Sequence, residues 1–197
     1  MTHDSRLTTS ARLMLALASL LVGVALLQPL WHIGLKAPQY PEGLGMYIWA
    51  DQITGEQPHD LQSLNGLNHY IGMKAIVPES IPELRFMPAI LGGLVLLGLA
   101  AAGAGRRRYL VAWTGAFALT ALAGLADFWR WGYDYGHDLD PTAAIKVPGM
   151  SYQPPLIGTK QLLNFQATSW PAPGGWALMV ALTLGVVLCF FAWRRGR

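Results

Sequence analysis

The sequence predicts a membrane α-helical protein, a bundle of four transmembrane helices with two long extracytoplasmic loops. Of its 197 residues, 53% are hydrophobic and only 13% are charged, whereas a typical soluble domain has about 25% charged residues. The apolar residues fall into four blocks of membrane-spanning length. Basic residues are concentrated in the two tails and in the short turn between the second and third blocks, and acidic residues are concentrated in the two long loops. We therefore predict a single membrane domain covering residues 1–197.

Each apolar block is about 19–20 residues long, which at about 1.5 Å per residue matches a hydrocarbon core of roughly 30 Å. No charged residue interrupts a block before Asp127, at the outer end of the third. Because Arg6 and Arg12 precede the first block, a signal peptide is an alternative. No clear cleavage site follows it, so we interpret the block as an uncleaved anchor. The predicted spans are residues 13–31, 86–104, 109–128 and 175–193.

The distribution of charge predicts the orientation of the spans. The two tails and the short turn between the second and third spans hold eight basic residues and one acidic residue, net +7. The loops at about 32–85 and 129–174 hold six basic and ten acidic residues, net −4. Basic residues that flank spans stay in the cytoplasm, so both termini are predicted to be cytoplasmic. The basic pI therefore reflects topology and does not indicate a nucleic-acid partner.

The first outer loop contains predicted secondary structure. Residues 31–36 (WHIGLK) alternate in polarity like a strand that leaves the membrane. Residues 44–54 (LGMYIWADQIT) are rich in β-branched and aromatic side chains and predict a second strand, so this loop is expected to contain a small β-sheet. Apolar residues at spacings of three and four predict a helix over 61–71. The one cysteine, Cys189, lies in the fourth span, so no disulfide orders the loops.

The turn at residues 105–108 is so short that the second and third spans must be antiparallel neighbours. The second outer loop begins and ends with aromatic residues typical of a membrane interface, and it is rich in Pro and Gly. A loop of this length is usually functional or docked to another element. In the third span, small residues recur about once per turn, which indicates either close helix packing or ordinary membrane-helix composition. They are Ala112, Ala116, Thr120, Ala123 and Gly124.

The motifs that identify common enzyme classes are absent. The sequence contains no dinucleotide fingerprint, P-loop, nucleophile elbow or HExxH motif. No charge lies in the middle of a span, which argues against a proton or ion pathway. We therefore predict a protein that is not an enzyme.

The outer loops do contain imidazole and thioether side chains, which together suit Cu(I), with Cu(II) an option where imidazole dominates. If the predicted helix at 61–71 continued through Met73, His69 and Met73 would share one face. The same residues also fit a packed loop without metal, because methionine commonly fills gaps. The copper candidates are His69, Met73, His137 and Met150, followed by His32 and Met46.

A second metal hypothesis concerns Ca²⁺. Asp134, Asp138 and Asp140 are close in sequence, but they lack the spacing and the glycine of a calcium-binding loop. Solvated acidic residues in a turn explain this group better.

Several strings in the loops resemble a family of small, uncharacterised bacterial four-span membrane proteins. The strings are WHIGLKAPQYPEGLGMYIW, LNHYIGMKAI, YDYGHDLDPTAAIKVPGMSYQPPLIG and LLNF. Members of that family accompany the copper chaperone of nitrous oxide reductase. The resemblance implies a place in the bacterial inner membrane and a role near the maturation of a respiratory or copper enzyme. The layout is also similar to that of claudins, in architecture only, because the paired cysteines of claudins are absent.

Two functions follow from these observations. The first is a non-catalytic accessory membrane protein that binds or relays copper on the periplasmic side. The second is a structural accessory subunit of a larger membrane complex, with no metal of its own. The expected partners are the lipid bilayer and other membrane or periplasmic proteins. Amphipathic aromatic residues suited to such an interface are Tyr133, Tyr135, Tyr152, Trp170 and Trp176.

Overall fold

The computed structural model describes residues 6–162 and 164–194. Asp4, Arg195 and Arg197, which contribute to the predicted charge asymmetry, lie outside these residues. The described chain forms the helices α1 (Thr9–Val24), α2 (Asp60–Ile71), α3 (Glu83–Ala104), α4 (Arg107–His137) and α5 (Pro173–Arg194). Its strands are β1 (Trp31–Ala37), β2 (Tyr40–Ile48), β3 (Ile53–Gly55), β4 (Gly158–Leu162) and β5 (Phe165–Pro171). A short 3₁₀ turn covers Pro78–Ser80.

Four helices pack side by side as a bundle. Helix α1 lies against α3 and α5, and α4 packs against the same two helices. Their buried side chains, which include Leu15, Val22, Leu91 and Trp113, form one apolar core. Helices α3, α4 and α5 are long and apolar enough to cross a membrane, whereas α1 is a shorter apolar helix of 16 residues. These lengths and compositions suggest a membrane protein.

The first predicted span, residues 13–31, differs from α1 at both ends. The helix begins at Thr9, after Thr8, whose Oγ1 accepts a hydrogen bond from the Ala11 amide at 3.3 Å. It ends at Val24, and the next three amides bond carbonyls three residues earlier, as in a tightened last turn. That helical path stops at Leu27 because Pro29 disfavours helical backbone in the residue before it. Residues 28–31 are therefore not helical, and the predicted end was wrong.

The predicted tight turn between the second and third spans is confirmed. Helix α3 ends at Ala104, Gly105 adopts a left-handed conformation with φ of 63°, and α4 begins at Arg107. Arg12 of α1 closes this corner, because its guanidinium donates to the carbonyls of Ala102 and Gly103, both at 2.8 Å. A cation at the last carbonyls of a helix also complements the helix dipole.

Helix α4 is much longer than the predicted span 109–128. It has 31 residues and is about 46 Å long, whereas the hydrocarbon core is roughly 30 Å thick. Residues 129–137, predicted as the start of a loop, are therefore helical. The signal that was missed is the four-residue spacing of aromatic residues, Trp129 with Tyr133 and Trp131 with Tyr135, which places each pair on one helix face.

Both outer loops contribute to one antiparallel sheet with the strand order β3-β2-β1-β5-β4. The central strand β1 pairs with β2 of its own loop and with β5 of the second loop. The predicted β-sheet of the first loop is therefore confirmed, and the second loop extends it with β5 and β4. The predicted strand at 44–54 is two strands, β2 and β3, because the chain turns where the Trp49 amide donates to the Gln52 carbonyl at 2.8 Å.

Helix α2 confirms the helix predicted over 61–71 and covers one face of the sheet. Apolar side chains of the sheet, of α2 and of the connection to α3 form a second core under it. Trp131 and Tyr135, from the outer end of α4, pack on the same core. We call the sheet, α2, residues 72–82 and residues 129–157 the outer domain. The core side chains include Ile33, Leu44, Met46, Leu64 and Ile76.

Candidate functional site

The two outer loops meet at the end of α2. The Asp140 amide donates to the Gly72 carbonyl at 2.8 Å, and the Ile145 amide donates to the Tyr70 carbonyl at 2.9 Å. An ion pair of 2.6 Å joins Lys74 Nζ to Asp138 Oδ2. Residues 138–145 are therefore held against the segment that carries the copper candidates His69 and Met73.

His69 and Met73 do not share a helix face. Helix α2 ends at Ile71, and Gly72 has a φ of 81°, a left-handed conformation that glycine adopts readily. The Met73 amide donates to the Asn68 carbonyl at 2.8 Å and closes a Schellman motif. His69 consequently stays exposed, while Met73 turns into the outer domain and is half-buried. The condition for a shared face, continuation of the helix through Met73, is therefore not met.

Met73 and Met46 line the same cavity. This cavity of about 90 Å³ lies between the inner face of the sheet, α2 and the outer end of α4, and apolar side chains form nearly all of its wall. Met46 is only 4% exposed. The fold therefore brings two thioether groups from different parts of the chain to one cavity.

His32 lies on the opposite face of the sheet from Met46. Ile33 pairs with Met46 and both belong to the core, and successive side chains of a strand point to opposite faces. His32 Nε2 is 3.0 Å from a carboxylate oxygen of Glu56, and its ring packs on Tyr47 with 4.8 Å between centroids. His32 therefore cannot join a site that contains Met46.

Glycine makes room for this His32–Glu56 pair. A Cβ atom added at Gly45 would overlap the Glu56 carboxylate and come within 3.0 Å of the His32 ring. A Cβ at Gly34 would likewise collide with the Thr168 hydroxyl. The pair therefore lies directly against the backbone of β1 and β2, where any residue larger than glycine at position 45 would collide with it.

His137 and Met150 occupy two further places. His137 is the last residue of α4, where its ring stacks on Tyr133 at 4.0 Å and its Nδ1 hydrogen-bonds the Tyr133 carbonyl at 3.0 Å. Met150 is half-buried in a turn closed by its own amide and the Val147 carbonyl. Among residues 6–162 and 164–194, no group of three or more His, Cys, Asp or Glu side chains is arranged to hold a metal ion.

Aromatic rings stack in a column on the part of α4 that projects beyond the predicted span. Trp129 stacks on Tyr133 with 5.5 Å between ring centroids, and Tyr133 stacks on His137. Trp129 is 51% exposed and Tyr133 is 43% exposed. Of the other predicted interface residues, Trp170 and Trp176 are also about half exposed. These side chains are accessible to a partner.

Two of the predicted interface residues point inward instead. Tyr152 is buried and lines the cavity, so it cannot contact a partner. Tyr135 is half-buried, with its ring 4.2 Å from that of Trp131 and its hydroxyl donating to the Ala75 carbonyl at 3.3 Å. Polar residues, Gly and Pro surround both tyrosines in the sequence, so their neighbours do not predict burial. Their burial arises only when the two outer loops pack against the sheet.

Sequence reasoning missed a set of buried or half-buried polar side chains that hold the outer domain together. Asp60 Oδ2 accepts hydrogen bonds from the amides of Gly45 and Gln57, at 2.9 and 3.1 Å. Asn65 bonds both the amide and the carbonyl of Ile76, at 2.7 and 3.0 Å. The available signal was the four-residue spacing that places Asp60, Leu64 and Asn68 on the buried face of α2.

Charged groups stabilise the junction between the loops. The hydrogen bond to Asp138 raises the pKa of Lys74 above its ordinary value, and the charge of Asp138 adds to the effect. Thr142 holds the pKa of Asp140 below its ordinary value, because its hydroxyl and amide donate to the carboxylate at 2.6 and 2.7 Å. The charged forms of both side chains therefore favour the observed position of residues 138–142.

No protein-family model matches this chain, and a search of curated proteins finds no match. The resemblance to small bacterial four-span proteins therefore stays a prediction. Two features of the described chain could take part in a function, the exposed face of α4 and the cavity of the outer domain.

Proposed function

We propose that the protein is a non-catalytic accessory subunit that docks onto a larger membrane complex through the exposed face of α4. The observation that carries this proposal is the composition of that face, where small residues and the exposed Leu119 and Leu122 lie along one helix. That face presents small residues along the apolar part of the helix and stacked aromatic residues where the helix projects beyond it.

Several small residues in the apolar part of α4 face outward. Ala112, Ala116 and Ala123 are exposed, and a Cβ atom added at Gly115 or Gly124 would meet no atom within 4 Å. Small residues let the backbone of a second helix approach closely, which favours association through van der Waals contact and backbone–backbone proximity. This arrangement supports docking of a partner helix along α4.

The aromatic column extends the same surface outward. Tyrosine and tryptophan bury a large area for little loss of side-chain entropy, and both are enriched where interfaces are strongest. Trp129 and Tyr133 are already ordered by their stacking, so binding would cost little further entropy. Since α4 is one continuous helix, a single partner can contact both parts of this surface.

The proposal includes a bacterial inner-membrane location with four spans and cytoplasmic termini. The charge asymmetry supports that orientation. The helical path from Thr9 to Leu27 is 19 residues, about 28 Å, which is close to the thickness of the hydrocarbon core. Alkaline phosphatase fused after Glu56 should be active, and a fusion after Gly105 should be inactive. The reverse pattern would contradict the orientation.

Co-purification from native membranes in mild detergent tests the docking surface. We expect Ala116→Trp to release the partner, because the new side chain would stand in the middle of the small-residue stripe. The matched control is Ala100→Trp on the exposed face of α3, which should retain the partner. If the unmodified protein purifies alone, or if Ala116→Trp also retains the partner, this proposal fails.

A second candidate function, copper binding, is favoured by one observation. Met46 and Met73 line the same cavity, and thioethers are the ligands that Cu(I) prefers. The other four predicted ligands are dispersed, so a site would be built around these two sulfur atoms. The implied association with copper-handling proteins is consistent with such a site.

Copper content after Cu(I) loading of the detergent-purified protein tests this candidate. The double variant Met46→Leu, Met73→Leu keeps the apolar wall and should lose the metal. Met179→Leu, on the exposed face of α5, is the control and should bind as much copper as the original chain. Absence of copper from the loaded original chain would eliminate this function.

A further inference from the structure

The cavity of the outer domain is large for a protein interior. Interiors are close-packed, and few of their voids exceed the size of a water molecule. A cavity that holds one ordered water has a volume of roughly 10–15 Å³, whereas this cavity has a volume of about 90 Å³. Its walls include Ile33 and Ala167 of the sheet, Leu64 of α2 and Trp131 of α4. The space is therefore sufficient for a fragment of an apolar molecule.

Water is a poor occupant of this cavity. An ordered water needs two to four polar partners, and the wall offers few. The Asn68 side-chain amide already donates to the Lys74 carbonyl at 3.2 Å, and the Tyr135 hydroxyl donates to the Ala75 carbonyl. Among the polar atoms of the lining side chains that the structure describes, the Tyr152 hydroxyl is the one that is buried without a hydrogen-bond partner.

Tyr152 is held in place with its hydroxyl buried and unsatisfied. The side chain is only 3% exposed, and its Oη has no hydrogen-bond partner in the described part of the chain. The Tyr152 amide donates to the Gly136 carbonyl at 2.9 Å, and Gly136 packs so closely on Gln153 that a Cβ there would collide with its backbone. A buried hydroxyl without a partner is unfavourable, so a ligand acceptor atom would satisfy it.

The position of the cavity indicates where its ligand comes from. Trp131 and Tyr135 follow the end of the predicted span, at residue 128, by three and seven residues, which is about 5–10 Å along a helix. The lining residues Met73, Trp131 and Pro154 are half-buried, so the cavity reaches the surface of the outer domain. The nearest store of apolar molecules is the bilayer below it.

We propose that this cavity binds the carbonyl-bearing end of an apolar molecule drawn from the membrane. The Tyr152 hydroxyl donates a hydrogen bond to the carbonyl oxygen, and the apolar wall encloses the adjoining carbon atoms. Fatty acyl esters and membrane quinones share this chemistry. The site rests on the membrane location proposed above, but it is separate from the exposed face of α4 and does not depend on the docking proposal.

Photo-cross-linking of the full-length protein in nanodiscs tests the proposal in two arms. One arm uses a diazirine-bearing fatty acyl methyl ester, and the other uses an azido-labelled short-chain quinone. We expect saturable labelling of peptides that contain Met73 or Trp131 in one arm, which also identifies the source of the carbonyl. An excess of the unlabelled compound should abolish this labelling.

Three variants separate the proposed site from its alternatives. Tyr152→Phe keeps the ring but removes the hydroxyl, so the probe concentration that gives half-maximal labelling should rise about tenfold. The exposed control Tyr70→Phe should leave this concentration unchanged. Ala167→Phe should fill the cavity and prevent labelling. The double variant Met46→Leu, Met73→Leu should still be labelled, which distinguishes this site from copper binding. Absence of saturable labelling in both arms, or labelling unaffected by Tyr152→Phe, would overturn the proposal.

Discussion

The helical bundle and the outer domain are stabilised in different ways. Some polar side chains in the bundle bond within their own helix, as Ser19 does with the Leu15 carbonyl at 2.8 Å, and a few join two helices, as Trp113 does with the Leu94 carbonyl at 2.8 Å. In the outer domain, side chains such as Asp60 join separate elements. The bundle therefore relies mainly on apolar packing with a few hydrogen bonds between helices, whereas the outer domain relies on more polar contacts between its elements.

The two regions also differ in how tightly they are filled. At Gly98 in the bundle, a Cβ atom would lie within 3.0 Å of the Ser19 hydroxyl and the Trp113 indole, so α1, α3 and α4 meet without spare room. The outer domain instead retains a cavity of about 90 Å³. The bundle is therefore closely packed at this crossing, whereas the outer domain has the unfilled space in which ligand binding is proposed.

The largest effect should come from closing the tightest point of the bundle. Gly98→Leu should lower the free energy of unfolding of the bundle by roughly 3 kcal/mol, because overpacking forces helices apart. Thermal unfolding in detergent measures this loss. Gly92→Leu is the matched control, since a Cβ there meets no atom within 4 Å. Equal destabilisation by both substitutions would contradict the proposed close contact.

The next effect should be confined to the outer domain. Asp60→Ala leaves the amides of Gly45 and Gln57 without their acceptor, and an unsatisfied buried donor costs about 1–3 kcal/mol. We expect a loss of roughly 2–3 kcal/mol, seen as faster proteolysis of the outer domain with unchanged melting of the bundle. The exposed Asp51→Ala should behave like the original chain. Simultaneous melting of both regions would show that they are not independent.

A smaller effect of the opposite sign is expected at Tyr152. In delipidated protein, Tyr152→Phe should raise stability by about 1 kcal/mol, because it removes a buried hydroxyl that has no partner among the described residues. Thermal unfolding before and after delipidation measures the change, with Tyr70→Phe as the control. In the presence of the bound ligand the gain should disappear. Destabilisation of the delipidated protein would mean that the hydroxyl has a partner within the chain.

The smallest effect should be a local response to pH at the junction of the loops. The pKa of Asp140 is lowered in the folded state by Thr142, so this stabilisation is present above about pH 4 and is lost as pH falls through the folded pKa. We expect the Thr142 amide to exchange faster with deuterium in acid, relative to its intrinsic rate. Asp140→Asn should remove that pH dependence. The same acid response in this variant would assign the effect to another group.

The elements that local sequence predicts are those that need no distant contact. The 105–108 turn follows from a glycine and three arginines between apolar blocks, and α2 follows from its apolar spacing. Strand β1 was also predicted from alternation. The outer end of α4 was missed because Trp129 and its neighbours resemble an interfacial belt. This part of the helix is stabilised because Phe128, Trp131 and Tyr135 pack against the core of the outer domain.

The candidate site was predicted only in part. Met46 and Met73 were named as possible ligands from residue type, but their shared cavity depends on the closure of α2 over the sheet. His32 was placed in the same group, although strand register puts it on the other face with Glu56. Residue type indicates which chemistry is available, whereas register and helix termination decide which side chains meet.

The sequence by itself determined the four apolar blocks, the charge asymmetry of their ends and the helical spacing of α2. These properties depend on composition and on neighbours a few residues apart. Only the tertiary structure decided that β5 completes the sheet beside β1, that α4 projects past its apolar segment and that Tyr152 is buried. Such outcomes depend on contacts between residues far apart in the chain, whose free energy is gained only when both outer loops pack together.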